Sequence, residues 1–393
     1  MSEPAVAFKH VDIIFGREAD VGLQLLDQGA TRSDILEKTG AVLGCADATL
    51  DVGQGEICVL MGLSGSGKST LLRAVNGLNR PVRGQVLVRV GANTVDTAKC
   101  DEETMRRVRM SRVAMVFQQF ALLPWRTVEQ NVGFGLELSG VPELERKERV
   151  SRQLKLVGLD QWAKKHAHEL SGGMQQRVGL ARAFATEAPI LLMDEPFSAL
   201  DPLIRNHLQD ELLVLQRKLK RTIIFVSHDL DEALKLGTRI AIMEAGRIVQ
   251  YGVPQDIVLR PANSYVADFV AHMNPLNVLT GDVMMRKIDD LKRNGQSITI
   301  DAVRQLTLKL SKAGAPDAAT LAGKPVSVFP AEINGVKAPA LSLAVMPAAT
   351  PMRAIIEARQ ATGLPVLLAE GSKVIGVVSD EEIYSALMHR AQS

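Results

Sequence analysis

The sequence predicts an α/β fold built on a mostly parallel, buried sheet. Continuous apolar runs at 57–61, 190–193 and 222–226 alternate with segments of helical periodicity. Such runs are typical of strands covered on both faces, and their alternation with helices is typical of parallel sheets. Polar residues follow the runs, at the edge where open α/β sheets bind ligands. We therefore expect a functional site at the carboxyl ends of these strands.

The remaining elements around the sheet complete this pattern. Further strands are predicted at 6–15, 48–52, 84–90, 113–117, 240–243 and 248–250, and the last two are expected to pair as a hairpin. Helices are predicted at 71–75, 101–109, most of 128–168, from 170 to 177 and beyond, and at 204–219. Between the first two strands lies a helix-like insert, for which Thr31 and Ser33 are candidate N-caps. Ile35 and Leu36 are expected on one face of that helix, which ends at Gly40.

Composition excludes several classes of protein. The chain has 393 residues, enough for two or three domains, and a formal net charge of +2, which gives no argument for nucleic-acid binding. No apolar run approaches the roughly 18 residues that a membrane span needs, and the N-terminus lacks the pattern of a signal peptide. The three cysteines form no C-x-x-C pair, so we expect a reducing compartment and no structural metal. The predicted protein is soluble by itself and can dock on a membrane partner.

The chain divides into two predicted domains. Residues 1–275 form the α/β domain, with a helical subdomain at about 120–180, and residues 283–393 form a small α+β domain. The middle of the second domain is rich in Ala and Pro. Its end is predicted as a helix, two strands and a last helix, at 352–361, 364–368, 374–378 and 380–387.

Residues 62–70 have the composition of a phosphate-binding P-loop, and they lie between an apolar strand and a helix, as such a loop requires. Glycines allow consecutive backbone N–H groups to point at phosphate oxygens, and the helix N-terminus adds partial positive charge. Lys68 can reach the β- and γ-phosphates, and the Ser69 hydroxyl can bind Mg²⁺. The alternative is a Gly- and Ser-rich turn before an ordinary helix. The predicted nucleotide-binding residues are Gly62, Ser64, Gly65, Ser66, Gly67, Lys68, Ser69 and Thr70.

Four polar residues that follow strands predict a hydrolytic site. Asp194 emerges at the end of a buried strand, where its carboxylate can hold Mg²⁺ opposite Ser69. Glu195 can orient or deprotonate the attacking water. Gln118 can touch the metal and this water, and His228 can hydrogen-bond the γ-phosphate. Each could instead be an ordinary polar residue, but we predict catalytic roles for Glu195, His228 and Gln118 and metal binding by Ser69, Gln118 and Asp194.

A second anion-binding helix start is predicted at Ser171, Gly172 and Gly173, although the segment is also an ordinary helix cap. One triphosphate needs only one cradle. The simplest arrangement is therefore a head-to-tail dimer with a second copy of the chain. Each nucleotide would lie between the P-loop of one copy and the Ser171 segment of the other.

Together, these motifs resemble those of the ATP-binding cassette (ABC) family. In family order, residues 62–70 are similar to its Walker A motif, Gln118 to its Q-loop and residues 170–173 to its signature motif. Asp194 and Glu195 are similar to its Walker B motif, residues 198–201 to its D-loop and His228 to its switch histidine. The resemblance covers about residues 6–270. It implies a P-loop NTPase cassette that binds ATP and Mg²⁺, with Phe15 stacked on adenine and Asp201 in the D-loop near the nucleotide.

A narrower resemblance is to the ATPase subunits of importers for glycine betaine, proline betaine and choline. The similar segments are 25–40, 61–68, 120–124 and 201–205. This resemblance implies a peripheral protein on the cytoplasmic face of the bacterial inner membrane, bound to a transmembrane permease and served by an external substrate-binding protein. The groove for a permease helix would include Phe120, Leu122, Leu123 and Trp125, although each of these residues could equally belong to the core.

Members of that family often carry CBS modules at the C-terminus, and 362–379 resemble the second half of one. The usual acidic ribose contact would be Glu382, three residues after Ser379, and it is Glu here rather than Asp. The first module is not recognisable at 288–346. A regulatory nucleotide-binding domain and a packing or dimer-stabilising domain are both open alternatives.

Two other functions stay open. An importer ATPase for another solute, such as an amino acid, is disfavoured by the insert and by the CBS-like tail. A soluble ABC protein that acts on ribosomes or DNA usually shows two cassettes or a coiled-coil insertion, whereas this sequence shows one cassette and no sustained heptads. The sequence thus predicts an ATPase that drives uptake of a quaternary amine such as choline or glycine betaine.

Overall fold

The computed structural model describes residues 3–271, 276, 279–295, 297–331 and 339–388. The chain divides into two compact units, Met1–Pro254 and Gln255–Ser393. The second unit begins before the predicted boundary at 275–283 because Leu259 already packs against the hydrophobic cluster of that unit. No helix in the described ranges combines the length and the apolar character that crossing a membrane requires.

The first unit contains a mostly parallel sheet, an antiparallel sheet and the helices that cover them. Its strands are β1 (Val6–Phe15), β2 (Val42–Val52), β3 (Ile57–Met61), β4 (Arg83–Val90), β5 (Asn93–Asp96), β6 (Val113–Val116), β7 (Ile190–Asp194), β8 (Thr222–Val226), β9 (Arg239–Glu244) and β10 (Arg247–Gly252). Its helices are α1 (Ala19–Asp27), α2 (Arg32–Thr39), α3 (Lys68–Ala74), α4 (Glu102–Ser111), α5 (Val128–Leu138), α6 (Glu143–Leu156), α7 (Gly172–Ala185), α8 (Pro202–Leu219) and α9 (Leu230–Leu236), with 3-10 turns at Asp160–Trp162 and Ala167–Glu169.

The mostly parallel sheet has the strand order β10-β9-β3-β8-β7-β6. Strand β3 pairs in parallel with β8 and β9, β7 pairs in parallel with β8 and β6, and β10 pairs antiparallel with β9. Every residue of β3, β7 and β8 is buried, which explains why these strands are continuous apolar runs. The predicted parallel sheet and hairpin are confirmed, and the carboxyl ends of β6, β7 and β8 meet at one edge.

The antiparallel sheet, in the order β2-β1-β4-β5, shares a hydrophobic cluster with the parallel sheet and α3. Phe8 from β1, Leu60 from β3 and Leu72 from α3 are fully buried in this cluster. Strand β2 begins six residues before the predicted start at 48, because it pairs with β1 as far as Phe15 and Val42. The two sheets therefore hold the segment between β3 and α3 from both sides.

The insert between β1 and β2 folds into α1 and α2. Thr31, not Ser33, caps α2: its hydroxyl accepts a 3.2 Å hydrogen bond from the Asp34 N–H, and the Asp34 carboxylate accepts one of 2.8 Å from the Thr31 N–H. The expectation that Ile35 and Leu36 share a face is wrong. Ile35 is fully buried and Leu36 is 50% exposed, since consecutive residues lie about 100° apart around a helix.

The region 120–180 is built mainly from α5, α6 and the first part of α7. A capping box between Thr127 and Gln130 starts α5. Val150 and Leu154 of α6 are buried, as their helical spacing predicts, and both α5 and α7 pack against α6. This layer of helices lies directly after β6 in the chain and leads into the parallel sheet again at β7.

The second unit combines, among its described residues, a mixed sheet with an antiparallel sheet. Its helices are α10 (Pro254–Leu259), which begins at the unit boundary, α11 (Ser264–Val270), α12 (Gly281–Met284), α13 (Met352–Thr362) and α14 (Asp380–Met388), with a 3-10 turn at Ile288–Asp290. Its strands are β11 (Arg286–Lys287), β12 (Arg293–Asn294), β13 (Ser297–Asp301), β14 (Leu306–Leu310), β15 (Pro316–Leu321), β16 (Lys324–Val326), β17 (Val328–Pro330), β18 (Leu343–Pro347), β19 (Val366–Glu370) and β20 (Lys373–Val378).

The mixed sheet, in the order β11-β20-β19-β18-β17, carries a hydrophobic cluster on each face. Val366 and Leu368 of β19 pack in the cluster with α13, whereas Leu367 packs in the cluster with the antiparallel sheet β12-β13-β14-β15-β16. The predicted order of helix, two strands and helix at the end of the chain is confirmed as α13, β19, β20 and α14. The antiparallel sheet was not predicted: β12 and β16 have only two and three residues, and β15 consists largely of Ala, Thr and Pro.

The Glu382 carboxylate at the start of α14 is bound within the second unit. It accepts hydrogen bonds from the Ser379 backbone N–H, at 2.8 Å, and from the Ser379 hydroxyl. Arg286 Nε lies 3.4 Å from the other carboxylate oxygen. These contacts stabilise the start of the helix, and the resemblance of this unit to a CBS module stays a prediction.

Candidate functional site

The P-loop lies between β3 and α3, and its lysine is folded back onto it. Lys68 Nζ donates to the carbonyl oxygens of Gly62, at 2.9 Å, and Leu63, at 2.8 Å. Burial lowers the pKa of the Lys68 ammonium, and the nearby carboxylates of Glu195 and Asp194 act in the opposite direction. The lysine is therefore held as a buried donor at the centre of the loop, close to the carboxylates at the end of β7.

Gly67, immediately before α3, has a backbone conformation that only glycine adopts easily. Its φ is +98°, and a Cβ at this position would overlap the carbonyl oxygen of Gly44 in β2. The close approach of the two backbones fixes the loop against the antiparallel sheet. The predicted role of Gly67 thus has a structural reason beyond loop flexibility.

Gly67→Ala is expected to weaken ATP binding at least about tenfold and to lower the free energy of unfolding by about 2–4 kcal/mol, because the new methyl group collides with backbone and the φ is unfavourable. Titration with a fluorescent ATP analogue and urea unfolding measure the two effects. Gly179→Ala is the matched control, since a Cβ there makes only an ordinary 3.7 Å contact with the Phe120 carbonyl oxygen. Unchanged ATP affinity in Gly67→Ala would contradict this account of the loop.

Asp194, the last residue of β7, is completely buried and both of its carboxylate oxygens have partners. Ser69 Oγ donates to Oδ1 at 2.7 Å, and Arg73 Nη2 donates to Oδ2 at 2.9 Å. A buried carboxylate needs such compensation, because its desolvation is otherwise costly. The structure thus brings together Ser69 and Asp194, which the sequence predicted to share one site.

Glu195 meets residues from two neighbouring strand ends. Gln118 Nε2, after β6, donates to Glu195 Oε2 at 3.2 Å, and His228 Nδ1, after β8, lies 3.6 Å from the same oxygen. Glu195 has a φ of +48°, an uncommon conformation for a residue with a side chain. Two of the three predicted catalytic residues, Gln118 and His228, therefore flank the carboxylate of the third, Glu195, at the edge of the sheet.

The segment that begins α7 presents an exposed helix start. Ser171 is the N-cap, and its hydroxyl accepts a 3.4 Å hydrogen bond from the Met174 N–H. Ser171 and Gly172 are exposed, and Gly173 is half-buried against the Ala199 carbonyl. Asp201, also exposed, caps α8 by accepting from the Ile204 N–H at 3.0 Å. These residues are accessible to a second molecule.

Phe15, the last residue of β1, lies beside the P-loop helix. A Cβ on Gly44 would be 2.9 Å from Phe15 Cε2 and 2.8 Å from Thr70 Cγ2, so the glycine leaves room for both side chains. The ring is 40% exposed. An exposed aromatic face next to the phosphate loop is suited to stacking on a base.

Comparison with known proteins decides the family. The family model described as "ABC transporter" matches residues 45–198. The chain is 50% identical over 279 residues to the glycine betaine/proline betaine transport system ATP-binding protein ProV of Escherichia coli (strain K12), a match that covers 71% of this chain and 69% of that relative. The chain belongs to the ABC transporter ATP-binding family. As an ABC ATPase it binds and hydrolyses ATP, and the predicted cassette fold is confirmed.

Two further similarities extend the comparison of this ABC ATPase. The glycine betaine transport ATP-binding protein OpuAA of Bacillus subtilis (strain 168) is 44% identical over 307 residues, 78% of this chain and 71% of the relative. A solved structure described as the dimeric structure of MJ0796, a bacterial ABC transporter cassette, is 28% identical, with a TM-score of 0.55 over 63% of this chain and 98% of that chain.

The ABC ATPase site includes two residues that the sequence analysis missed. Gln176 of α7 is buried; its amide donates to the Glu195 carbonyl at 3.0 Å and accepts from the Ala199 N–H at 2.9 Å. It thus joins the helix of the signature segment to the loop after β7. Arg73, which binds Asp194, lies one helical turn after Ser69, and this i,i+4 spacing is the signal that could have found it.

Proposed function

We propose that this ABC ATPase is the energy-supplying subunit of an importer for a quaternary amine such as glycine betaine, proline betaine or choline. The observation that carries the catalytic part is the Glu195 carboxylate held by Gln118 and His228 next to the Lys68 loop. The similarity to ProV, a glycine betaine/proline betaine transport ATP-binding protein, and to OpuAA, a glycine betaine transport ATP-binding protein, supports the substrate class.

In this proposal the P-loop residues bind the triphosphate and Lys68 turns from the loop carbonyls to the β- and γ-phosphates. The Ser69 hydroxyl and the Asp194 carboxylate, 2.7 Å apart, are oxygen donors of the kind that Mg²⁺ prefers, so the residues fit this ion. When bound, Mg²⁺ neutralises developing charge on the phosphates. Among the described residues no group of three His, Cys, Asp or Glu side chains could hold a metal, so Mg²⁺ would be bound jointly with the nucleotide.

Hydrolysis requires a water aligned with the γ-phosphate. Glu195 acts as the base that orients this water and accepts its proton, and Gln118 and His228 fix the carboxylate from two sides. Because Glu195 lies on the strand end next to Asp194, the base and the metal ligand are adjacent. Phe15 stacks on adenine at the other end of the site.

Two copies of the chain close around the nucleotides. The exposed residues Ser171, Gly172 and Asp201 face the P-loop of the second copy in this proposal. The dimeric state of the MJ0796 cassette supports such an arrangement. Closure and reopening of the dimer then transmit the energy of ATP binding and hydrolysis.

The permease would bind at the helical layer. A groove of about 850 Å³ lies between α5 and α6, and Trp125, which is 71% exposed, lines it. Phe120, Leu122 and Leu123, which were predicted to form the permease groove together with Trp125, are half-buried and do not line this cavity. We propose that this contact holds the protein at the cytoplasmic face of the bacterial inner membrane. A binding protein on the opposite, external side delivers the amine to the permease.

The test is ATP-dependent uptake of radiolabelled glycine betaine and choline into vesicles that contain this subunit, its cognate permease and its binding protein. Uptake of at least one amine, absent with the Lys68→Ala subunit, is expected. ATP hydrolysis without uptake of either amine would overturn the substrate class and favour another solute, such as an amino acid. Capture of ribosomes instead of a permease by the purified protein would overturn the transport role.

A further inference from the structure

The insert formed by α1 and α2 contacts the P-loop directly through one charged side chain. Arg32, the first residue of α2, donates a hydrogen bond from its guanidinium to the carbonyl oxygen of Gly65 at the exposed tip of the loop. The two residues are 33 positions apart in the chain and belong to elements on either side of β2. A positive charge is therefore held at the mouth of the phosphate cradle by a segment outside the P-loop motif.

The position of Arg32 is set by packing of the insert. Ile35, one turn further along α2, is completely buried in a cluster with Ile14 and Leu43, and its methyl group lies against Gly22 of α1. The Thr31 capping box fixes the first turn of α2, which carries Arg32. The guanidinium thus extends from a supported helix start, and little conformational entropy is lost when it binds.

A second attachment fixes the other helix of the insert. Arg83 of β4 binds Asp27 at the end of α1, at 2.8 and 2.9 Å, and also donates to Asp12 of β1 at 2.7 Å. Asp12 is buried and accepts a further hydrogen bond from the Asp47 N–H at 2.8 Å. The insert is therefore tied to strands β1 and β4 of the antiparallel sheet, whose strand β2 lies against the P-loop at Gly67.

We infer that Arg32 is a nucleotide-positioning residue: it holds the tip of the P-loop and directs its remaining N–H donors to the phosphates of the bound nucleotide. A guanidinium has five N–H donors, and the bond to Gly65 uses one of them. Planar N–H pairs suit phosphate oxygens, so Arg is preferred for this contact. This inference rests on the nucleotide site proposed above and makes the insert a part of that site.

The test compares equilibrium binding of a fluorescent ATP analogue to the full-length wild type and to Arg32→Gln and Arg32→Lys. The dissociation constant of Arg32→Gln is expected to rise about five- to tenfold, because one partly exposed charge-assisted contact is lost. Arg32→Lys keeps the charge but not the planar fork, so its dissociation constant is expected to lie between those of the wild type and Arg32→Gln. In steady-state hydrolysis the defect of Arg32→Gln falls mainly on KM rather than kcat.

Two control variants separate the possible failures. Lys38→Gln removes a positive charge from the exposed last turn of the same helix and is expected to bind ATP as the wild type does. Lys68→Ala is expected to lose binding. Wild-type affinity in Arg32→Gln, with loss in Lys68→Ala, overturns the inference but not the site, whereas wild-type affinity in Lys68→Ala overturns the site itself. Equal losses in Arg32→Gln and Arg32→Lys, with lowered unfolding midpoints in both, would assign Arg32 to folding alone and also overturn the inference.

Discussion

Replacing Glu195 with Gln is expected to lower the rate of ATP hydrolysis by about 10²-fold or more, which is the range that general-base residues contribute. The amide has nearly the same size as the carboxylate, so the backbone contacts of residue 195 with Val226 and Gln176 are kept. It cannot accept the proton of the attacking water. Binding of ATP is therefore expected to persist while turnover stops.

The same variant is expected to accumulate as an ATP-bound dimer. Light scattering after size-exclusion chromatography, with and without Mg²⁺ and ATP, measures the mass, and phosphate release measures the turnover. Glu103→Gln, on the exposed surface of α4, is the control and is expected to behave as the wild type does. A rate of ATP hydrolysis in Glu195→Gln within about threefold of the wild-type rate would contradict the assignment of Glu195 as the base.

Replacing Lys68 with Ala is expected to weaken ATP binding by about 100-fold or more, the size expected for loss of two charge-assisted hydrogen bonds to phosphate. The side chain is buried and already surrounded by acceptors of the loop, at 2.8 and 2.9 Å. The alanine variant loses the positive charge that the triphosphate needs. Because ATP binding drives transport in this proposal, uptake by the assembled transporter is expected to fall together with the affinity for ATP.

Equilibrium titration of the isolated subunit with the ATP analogue tests this prediction. Lys99→Ala, at an exposed position, is the matched control and is expected to retain wild-type affinity. A folded Lys68→Ala protein, verified by circular dichroism, that binds ATP within about threefold of the wild type would contradict the role of Lys68.

The motifs that are contiguous in sequence were predictable with residue precision. Lys68 and Ser69 follow a buried strand in a glycine-rich loop, and Asp194 and Glu195 follow another. These features depend on local spacing, because a strand must end before its next side chains can leave the sheet. Their placement at the same edge also followed from the parallel sheet that the apolar runs predicted.

Strand neighbours and long-range contacts were not predictable in the same way. Gln118 and His228 approach one oxygen of Glu195 because β7 lies between β6 and β8 in the sheet, an order that depends on backbone pairing. The antiparallel sheet of the second unit was not predicted, although β13 and β14 each alternate apolar and polar residues, because the pairing of these short strands with β12, β15 and β16 depends on the tertiary structure. Nothing in the sequence around Gln176 predicted its contact with Glu195, because it is one polar residue on a largely buried helix.

The sequence by itself determined the cassette fold, the phosphate loop and the residues at the ends of the strands, since these depend on residue type and short spacing. Only the tertiary structure decided that Arg73 binds Asp194, that Gln176 joins α7 to Glu195, and that Arg32 lies on the P-loop. Each of these contacts depends on how separate elements pack. The burial of Ile35 and the Arg83 attachment place the insert, and neither interaction has a pattern that can be recognised along the chain.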